Sequence, residues 1–253
     1  MTEHTLTIEH NSEGENFLPG IAMDFVVFGF HKAQLKILLL EYRNTDLFAL
    51  PAGFVKLNEN LNDAARRVLA ERTGLTNIYL EQFYTFGDVT RYDQAPMRKI
   101  MQAKGLEPND AHWLLARFIS VGYFALIDFT KAVPVPDLLS DNCTWYDLND
   151  LPDLMLDHTE IVQKALQTLR ADLDRKLIGN DNWAKPLLSE TFTMADLQKL
   201  YETILGQELR RSSFQRKILS FDILERLEKQ YTGGAHKAPF LYRFKENISE
   251  EQL

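Results

Sequence analysis

Gly53-Phe54-Val55-Lys56-Leu57-Asn58-Glu59, then seven residues, then Arg67-Val68-Leu69-Ala70-Glu71-Arg72-Thr73-Gly74-Leu75: this stretch decides the fold. Its second half predicts a helix over Asn60–Thr73, because Leu61, Ala64, Ala65, Val68 and Leu69 recur at helical spacing. Gly74 ends it, since glycine enters the left-handed backbone region that closes helices without steric cost. The lead-in, Phe48 to Phe54, holds Pro51 and Gly53 and reads as a short strand or turn.

Outward from the helix the pattern changes to strands. Ile21 to Phe30 and Leu35 to Tyr42 are rich in Val, Ile, Leu and Phe, and the short turn His31–Gln34 between them marks a hairpin. Asn77 to Phe86, Arg117 to Asp128 and Asn142 to Asp147 follow as strands. A further helix is expected over His158–Leu177, with Ile161, Val162, Leu166, Leu169 and Leu173 on its apolar face. Strands interrupted by one helix and closed by another indicate an α/β sandwich. The segment 94–116 holds Met97-Arg98-Lys99-Ile100-Met101 and His112-Trp113-Leu114-Leu115, and reads as one or two helices.

The chain has 253 residues, 45% apolar and 25% charged, which suits a globular protein with a sizeable core. A net charge of -8 argues against a surface that is basic throughout. The single cysteine, Cys143, rules out an intrachain disulfide or a cysteine zinc cluster and reads as a small buried side chain. His31, His112, His158 and His236 have no metal-ligand spacing, so no metal and no cofactor is expected. Residues 1–16 are polar and acidic, a tail without the pattern of a signal peptide. No apolar run approaches the ~18 residues that span a bilayer. The expectation is a cytoplasmic protein with no membrane contact.

Residues 179–190, with Gly, Asn, Asp and Pro, read as a linker. Beyond it charge is nearly balanced, so the acidity lies in the first part of the chain. Thr193 is a candidate N-cap for a helix whose apolar face is Leu197, Leu200, Tyr201 and Ile204, and Gly206 ends it. A second helix is expected over Phe214–Leu224, completing a helix-turn-helix spacing. Arg210, Arg211, Ser212, Ser213, Gln215, Arg216 and Lys217 make up its basic and polar approach. Arg and Lys neutralise phosphates or read guanine, Gln reads adenine, and Ser does either. Tyr231 to Pro239 leads into Phe240–Phe244 and looks like a wing with His236 and Lys237 at its tip. A solvated helix face on a protein-binding winged helix remains the alternative for this set.

The opening stretch resembles the Nudix box: Gly, five residues, Glu, seven residues, then Arg-Glu-apolar-any-Glu-Glu-any-Gly-apolar. The resemblance covers about residues 17–178. In that family carboxylates of the box hold divalent metal for pyrophosphate hydrolysis, and Mg²⁺ requires hard oxygen ligands. The three acid positions are here Val68, Glu71 and Arg72. Valine cannot ligate. Arginine puts fixed positive charge where the metal would sit, and two unit charges at about 4 Å repel by roughly 4 kcal/mol at an effective dielectric near 20. No hydrolase activity is therefore expected. Glu59 and Arg67 read as a pair holding the loop on the helix. For Arg72 two readings stand: a contact to an anionic phosphate, or a salt bridge to Glu71 or Glu59.

With Phe192-Thr193-Met194-Ala195-Asp196-Leu197-Gln198, Phe214-Gln215-Arg216-Lys217 and Leu241-Tyr242-Arg243-Phe244, the chain resembles the Nudix-related transcriptional regulators of the NrtR and AraR types. The resemblance implies a tail at 1–16, an effector-sensing Nudix-like domain at 17–178, the linker at 179–190, and a winged helix-turn-helix at 191–247. It further implies a homodimer on palindromic double-stranded operator DNA, with half-sites about one helical turn apart. The effector would be an ADP-ribose-type nucleotide or a sugar. Candidate effector residues, chosen for position near the box or on strands facing it, are Arg43, Phe54, Lys56, Glu71, Arg72, Arg91 and Tyr123. The competing function is a residual Nudix pyrophosphohydrolase for ADP-ribose-like substrates, using Glu59 and Glu71 with Asp88 or Asp93.

Overall fold

The computed structural model describes residues 14–76, 78–137, 139–178, 183–230 and 238–246. Its centre is β1, Phe17–His31, with residues 23–30 all buried. A strand covered on both faces reads as an unbroken apolar run rather than an alternation. β1 runs parallel to β6, Ile119–Asp128, from Ile21↔Ile119 to Phe30↔Asp128. Its other edge is shared. The first half pairs with β4, Ala52–Lys56, and the second with β2, Gln34–Tyr42. Lys32 and Ala33 both take positive φ in the β1–β2 turn, the geometry that matches the twist of a two-residue hairpin.

β3, Leu47–Ala49, and β7, Asn142–Asp147, add to β2, and β5, Leu80–Phe86, adds to β6. The result is a seven-stranded mixed sheet. Met23, Phe25, Val27, Val121, Tyr123 and Ala125 face α1, Leu61–Thr73, and meet its Ala64, Ala65, Val68 and Leu69. Val26, Phe28, Phe124 and Leu126 face the other way, onto α3, His158–Ala171. The α/β sandwich expected from the pattern is present.

Some boundaries differ from the expectation. The segment 94–116 forms one α-helix, α2 (Ala95–Ala103), and a single 3-10 turn, Trp113–Leu115. The long helix expected over 158–177 is interrupted at Asp172, after which α4 covers Leu173–Ile178. The strand expected from Asn77 begins at Leu80.

Trp183 and Ala184 are fully buried, and the Trp183 Nε1–H donates to the Leu173 carbonyl at 3.1 Å. They join one apolar core that runs from α3 and α4 into the C-terminal helices. There α5, Met194–Leu205, starts at a reciprocal cap: Thr193 Oγ1 accepts from Asp196 N, and the Asp196 carboxylate accepts from Thr193 N. Gly206, at φ +70°, closes α5. The second helix, α6, is Arg211–Ser220. It begins three residues before the expected Phe214 and ends before Leu224, because that leucine opens β9, Leu224–Lys229. β10, Phe240–Phe244, pairs with β9 and with β8, Phe192–Thr193, to give the wing sheet. The expected wing tip with His236 and Lys237 lies outside the described residues.

Candidate functional site

The box is built around Arg67. Its guanidinium binds both oxygens of Glu59 at 2.8 Å, donates to the Phe54 carbonyl at 2.9 Å, and reaches Glu71 at 3.3 Å. The Lys56 N–H also donates to Glu59. These contacts, led by the Arg67 hydrogen bonds, hold the Glu59 carboxyl below its ordinary range, and Glu59 holds Arg67 above its own. The expected Glu59–Arg67 pair is thus in place. Gly53 is required by Val68: a Cβ there would lie 2.5 Å from a Val68 methyl. Val68 is 1% exposed and packs in the apolar layer beneath α1.

Arg72 does not form the salt bridge to Glu59 or Glu71 that was one reading of it. Arg67 already engages both acids, and residue 72 is turned off the face that 67 and 71 share at i,i+4. Arg72 instead crosses under the 133–136 segment, where Nη1 donates to the Pro136 carbonyl at 3.3 Å. Its Nε is buried with no hydrogen-bond partner. Tyr42 and Cys143 lie close enough to feel its charge and that of Asp137. Burial pushes the Cys143 thiol up to about 12, against the opposing pull of Arg72.

The other candidate effector residues each have partners of their own. Arg91 is committed to a buried network: it binds Asp157 at 2.8 and 3.1 Å, Asp24 at 3.3 Å and the Phe118 carbonyl at 3.1 Å. Ser120 donates to Asp24 at 2.5 Å, and His158 Nε2 lies 3.9 Å from the same carboxylate. Tyr123 is buried against Phe25 and its hydroxyl donates to Asn62 at 3.0 Å. Burial raises its pKa. Phe54 sits among Phe17, Phe118 and Trp113, whose ring centroids are 5.6, 5.4 and 4.8 Å away. Trp113, from the 94–116 segment, therefore packs against the strand that opens the box. Lys56 and Arg43 are exposed, and the Arg43 N–H donates to Asp141.

The Asp24–Asp157–His158 network was not among the sequence candidates. Its signal was available: Asp24 is the one acid inside the apolar run Met23–Phe30. Asp88 begins a 3-10 turn, and Asp93 accepts from Ala95 N. Among the described residues, no group of three or more His, Cys, Asp or Glu side chains is arranged to hold a metal ion.

In the C-terminal part, Phe214 is buried beneath Tyr201, with ring centroids 5.1 Å apart, which fixes α6 across α5. The intervening turn is pinned by Gln198 donating to the Leu209 carbonyl and by Leu209 N donating to Glu202. Arg210, Arg211, Ser212, Ser213 and Arg216 are exposed and Gln215 is half-buried. Lys217 departs from the free outward position expected for it. Its ammonium is 2.5 Å from Asp174 on α4 and lies over the Tyr201 ring. No helix among the described residues is long and apolar enough to cross a membrane.

Comparison with known proteins agrees with both halves. Residues 19–168 match the Nudix domain model, and residues 185–244 match the model of the NrtR DNA-binding winged helix domain. An ADPR responsive transcriptional repressor, NtrR, of Acinetobacter baylyi is 30% identical over 89% of this chain and 82% of its own. NrtR of Shewanella oneidensis, solved in complex with a 27mer DNA, is 26% identical, with a TM-score of 0.63 over 89% of this chain and 93% of that one. A MutT/nudix family protein from Enterococcus faecalis shares the fold at 21% identity, with a TM-score of 0.61 over 90% of this chain and 87% of that one. The chain belongs to the Nudix family, among the members that carry an NrtR-type winged helix after the Nudix domain.

Proposed function

We propose that the protein is a transcriptional repressor that binds operator DNA as a homodimer through its winged helix, senses ADP-ribose through its Nudix domain, and does not hydrolyse it. The observation that carries the reading is the pairing of an altered box with a basic helix-turn-helix. Val68 is buried among apolar side chains, Glu71 is held by Arg67, and Arg72 brings positive charge to the third acid position. This set does not suit a divalent cation, which needs several oxygen ligands and no neighbouring cation. Meanwhile Arg210, Arg211, Ser212, Ser213 and Arg216 stand exposed at and along α6, with Gln215 beside them. Such residues are suited to phosphates and base edges.

The names of the relatives support ADP-ribose over a free sugar and repression over activation. The hydrolase reading gains no support from the geometry, because Glu59 and Glu71 both serve as partners of Arg67. A mobility-shift assay with DNA from the gene's own neighbourhood tests the proposal. A discrete complex surviving competition by unrelated DNA at moderate salt is expected. Binding no stronger than to the competitor would remove the regulatory reading.

A further inference from the structure

We propose that α4 is a latch on α6: Asp174 holds the Lys217 ammonium over the Tyr201 ring, and that hold is set from the Nudix sheet through the Lys176–Glu81 ion pair. That the held ammonium is thereby kept from DNA rests on the regulatory reading above. The latch itself does not.

The helix α4 lies between the residues matched to the Nudix domain and those matched to the winged helix. Side chains two apart do not share a helix face, so Asp174 and Lys176 let a helix of six residues engage α6 and the sheet at once. Lys176 is 10% exposed; it pairs with Glu81 on the edge strand β5, and its ammonium lies 5.0 Å from the centroid of the Phe124 ring on β6. A pair so buried is firm, because losing the acid strands the cation. Leu173 and Leu177 are buried in the common core, and the Leu173 carbonyl accepts from Trp183. Position on the sheet therefore fixes where Asp174 stands.

The contact with α6 is of the opposite kind. Asp174 Oδ2 meets Lys217 Nζ at 2.5 Å with both side chains nearly half exposed, and such pairs are weak. It is not needed to seat α6, which Phe214 already anchors beneath Tyr201.

Two unmade hydrogen bonds sit at the same place. Asp174 Oδ1 and the Tyr201 hydroxyl are both buried and have no hydrogen-bond partner among the described residues. They are neighbours: burial first, and then the Asp174 charge, push the Tyr201 phenol up. A buried donor and a buried acceptor left unpaired side by side call for an explanation, and a second arrangement of the acid supplies one. With Lys217 held, Asp174 is committed through Oδ2. With Lys217 released, a turn of the carboxylate takes up the Tyr201 O–H, and the acid does not go unpaired. Release is thereby made easier, and Tyr201 is the positioning residue for it.

The test uses the full chain with two readouts: anisotropy of a labelled duplex from the gene's own upstream region, and acetylation of Lys217 by acetic anhydride, followed by mass spectrometry without DNA. Asp174→Asn and Glu81→Gln are each expected to speed Lys217 acetylation and to tighten DNA binding by roughly 3- to 10-fold at about 0.1 M salt, the effect of one added phosphate contact. The two together should gain no more than one alone, and adding Lys217→Ala should abolish the gain. In the Glu81→Gln background, Tyr201→Phe should take back part of it. Should a melt find Glu81→Gln unfolded, Lys176→Met, which removes the same pair without stranding a cation, replaces it.

Unchanged acetylation in Asp174→Asn, a gain that survives Lys217→Ala, or wild-type behaviour on loss of the Lys176–Glu81 pair would overturn the proposal. If acetylation rises in both variants and no chain retains the duplex, the latch stands and the regulatory reading falls. If every chain binds the duplex alike with acetylation unchanged, the latch falls and the regulatory reading stands.

Discussion

Lys217 on α6 is ion-paired with Asp174 on α4, so a basic residue of the helix-turn-helix is held by a helix that precedes the winged helix domain. The two side chains are 45% and 42% exposed, which leaves the pair open to competition by another anion. Asp174→Asn should free the ammonium for a DNA phosphate. The dependence of log K on log salt should then steepen by about 0.9, the contribution of one further phosphate contact. Anisotropy titrations at several salt concentrations measure this. An unchanged slope would mean that Lys217 does not reach DNA.

Arg216 offers the contrast. It is exposed and has no ion pair among the described residues. Arg216→Ala should weaken DNA binding across sequences and flatten the salt dependence by about 0.9. Lys217→Ala should cost less, because its ammonium must first leave Asp174. Equal losses in the two variants would contradict the pairing as a competitor.

His158 gives a pH dependence with a definite sign. It is buried, and burial, opposed by Asp24 and Asp157, lowers its pKa below the ordinary value. Its Nδ1 accepts from Leu50 N, a bond that only the unprotonated nitrogen can make. The unfolded chain therefore takes up this proton near pH ~6.5 while the folded chain stays neutral. Stability is constant above that pH and falls below it, by up to about 1.4 kcal/mol per pH unit. Thermal melts between pH 7.5 and 5.5 should show the fall, and His158→Asn should flatten it. A wild-type melting point that is level over this window would refute it.

Gly53 and Val68 are matched to each other. Gly53→Ala places a Cβ 2.5 Å from a Val68 methyl and should destabilise the fold, by about 1–3 kcal/mol as over-packing does. Gly53→Ala with Val68→Ala should recover part of that loss, as neighbouring sites couple. Denaturant melts of the three variants decide it; strict additivity would show that the contact is not the cause.

Much of this architecture is legible in the amino-acid sequence. The 3.6-residue period of 61–69, the apolar run of 23–30 and the Thr193/Gly206 punctuation of α5 each carry their own local signal, and local signals set local structure. The altered box and the basic residues near α6 were legible for the same reason. What escaped depends on distance along the chain. Arg72 lies beside Pro136, and Lys217 beside Asp174, only because the 133–136 segment and α4 fold back onto them. The sequence reading pairs Arg67 with Glu59; the i,i+4 contact of Arg67 with Glu71 is added by the structure and leaves neither acid for Arg72. The expected α6 runs past its observed end because Ile223 and Leu224 continue an apolar spacing, and only pairing with β10 makes Leu224 the start of a strand.

The most direct measurement follows fluorescence anisotropy of labelled DNA from the gene's own upstream region, with the full chain bound in EDTA, during addition of ADP-ribose. Saturable release is predicted, with the ADP-ribose recovered intact by chromatography after a parallel incubation in Mg²⁺. DNA that stays bound at saturating ADP-ribose, or conversion of the nucleotide to AMP and ribose 5-phosphate, would contradict the account.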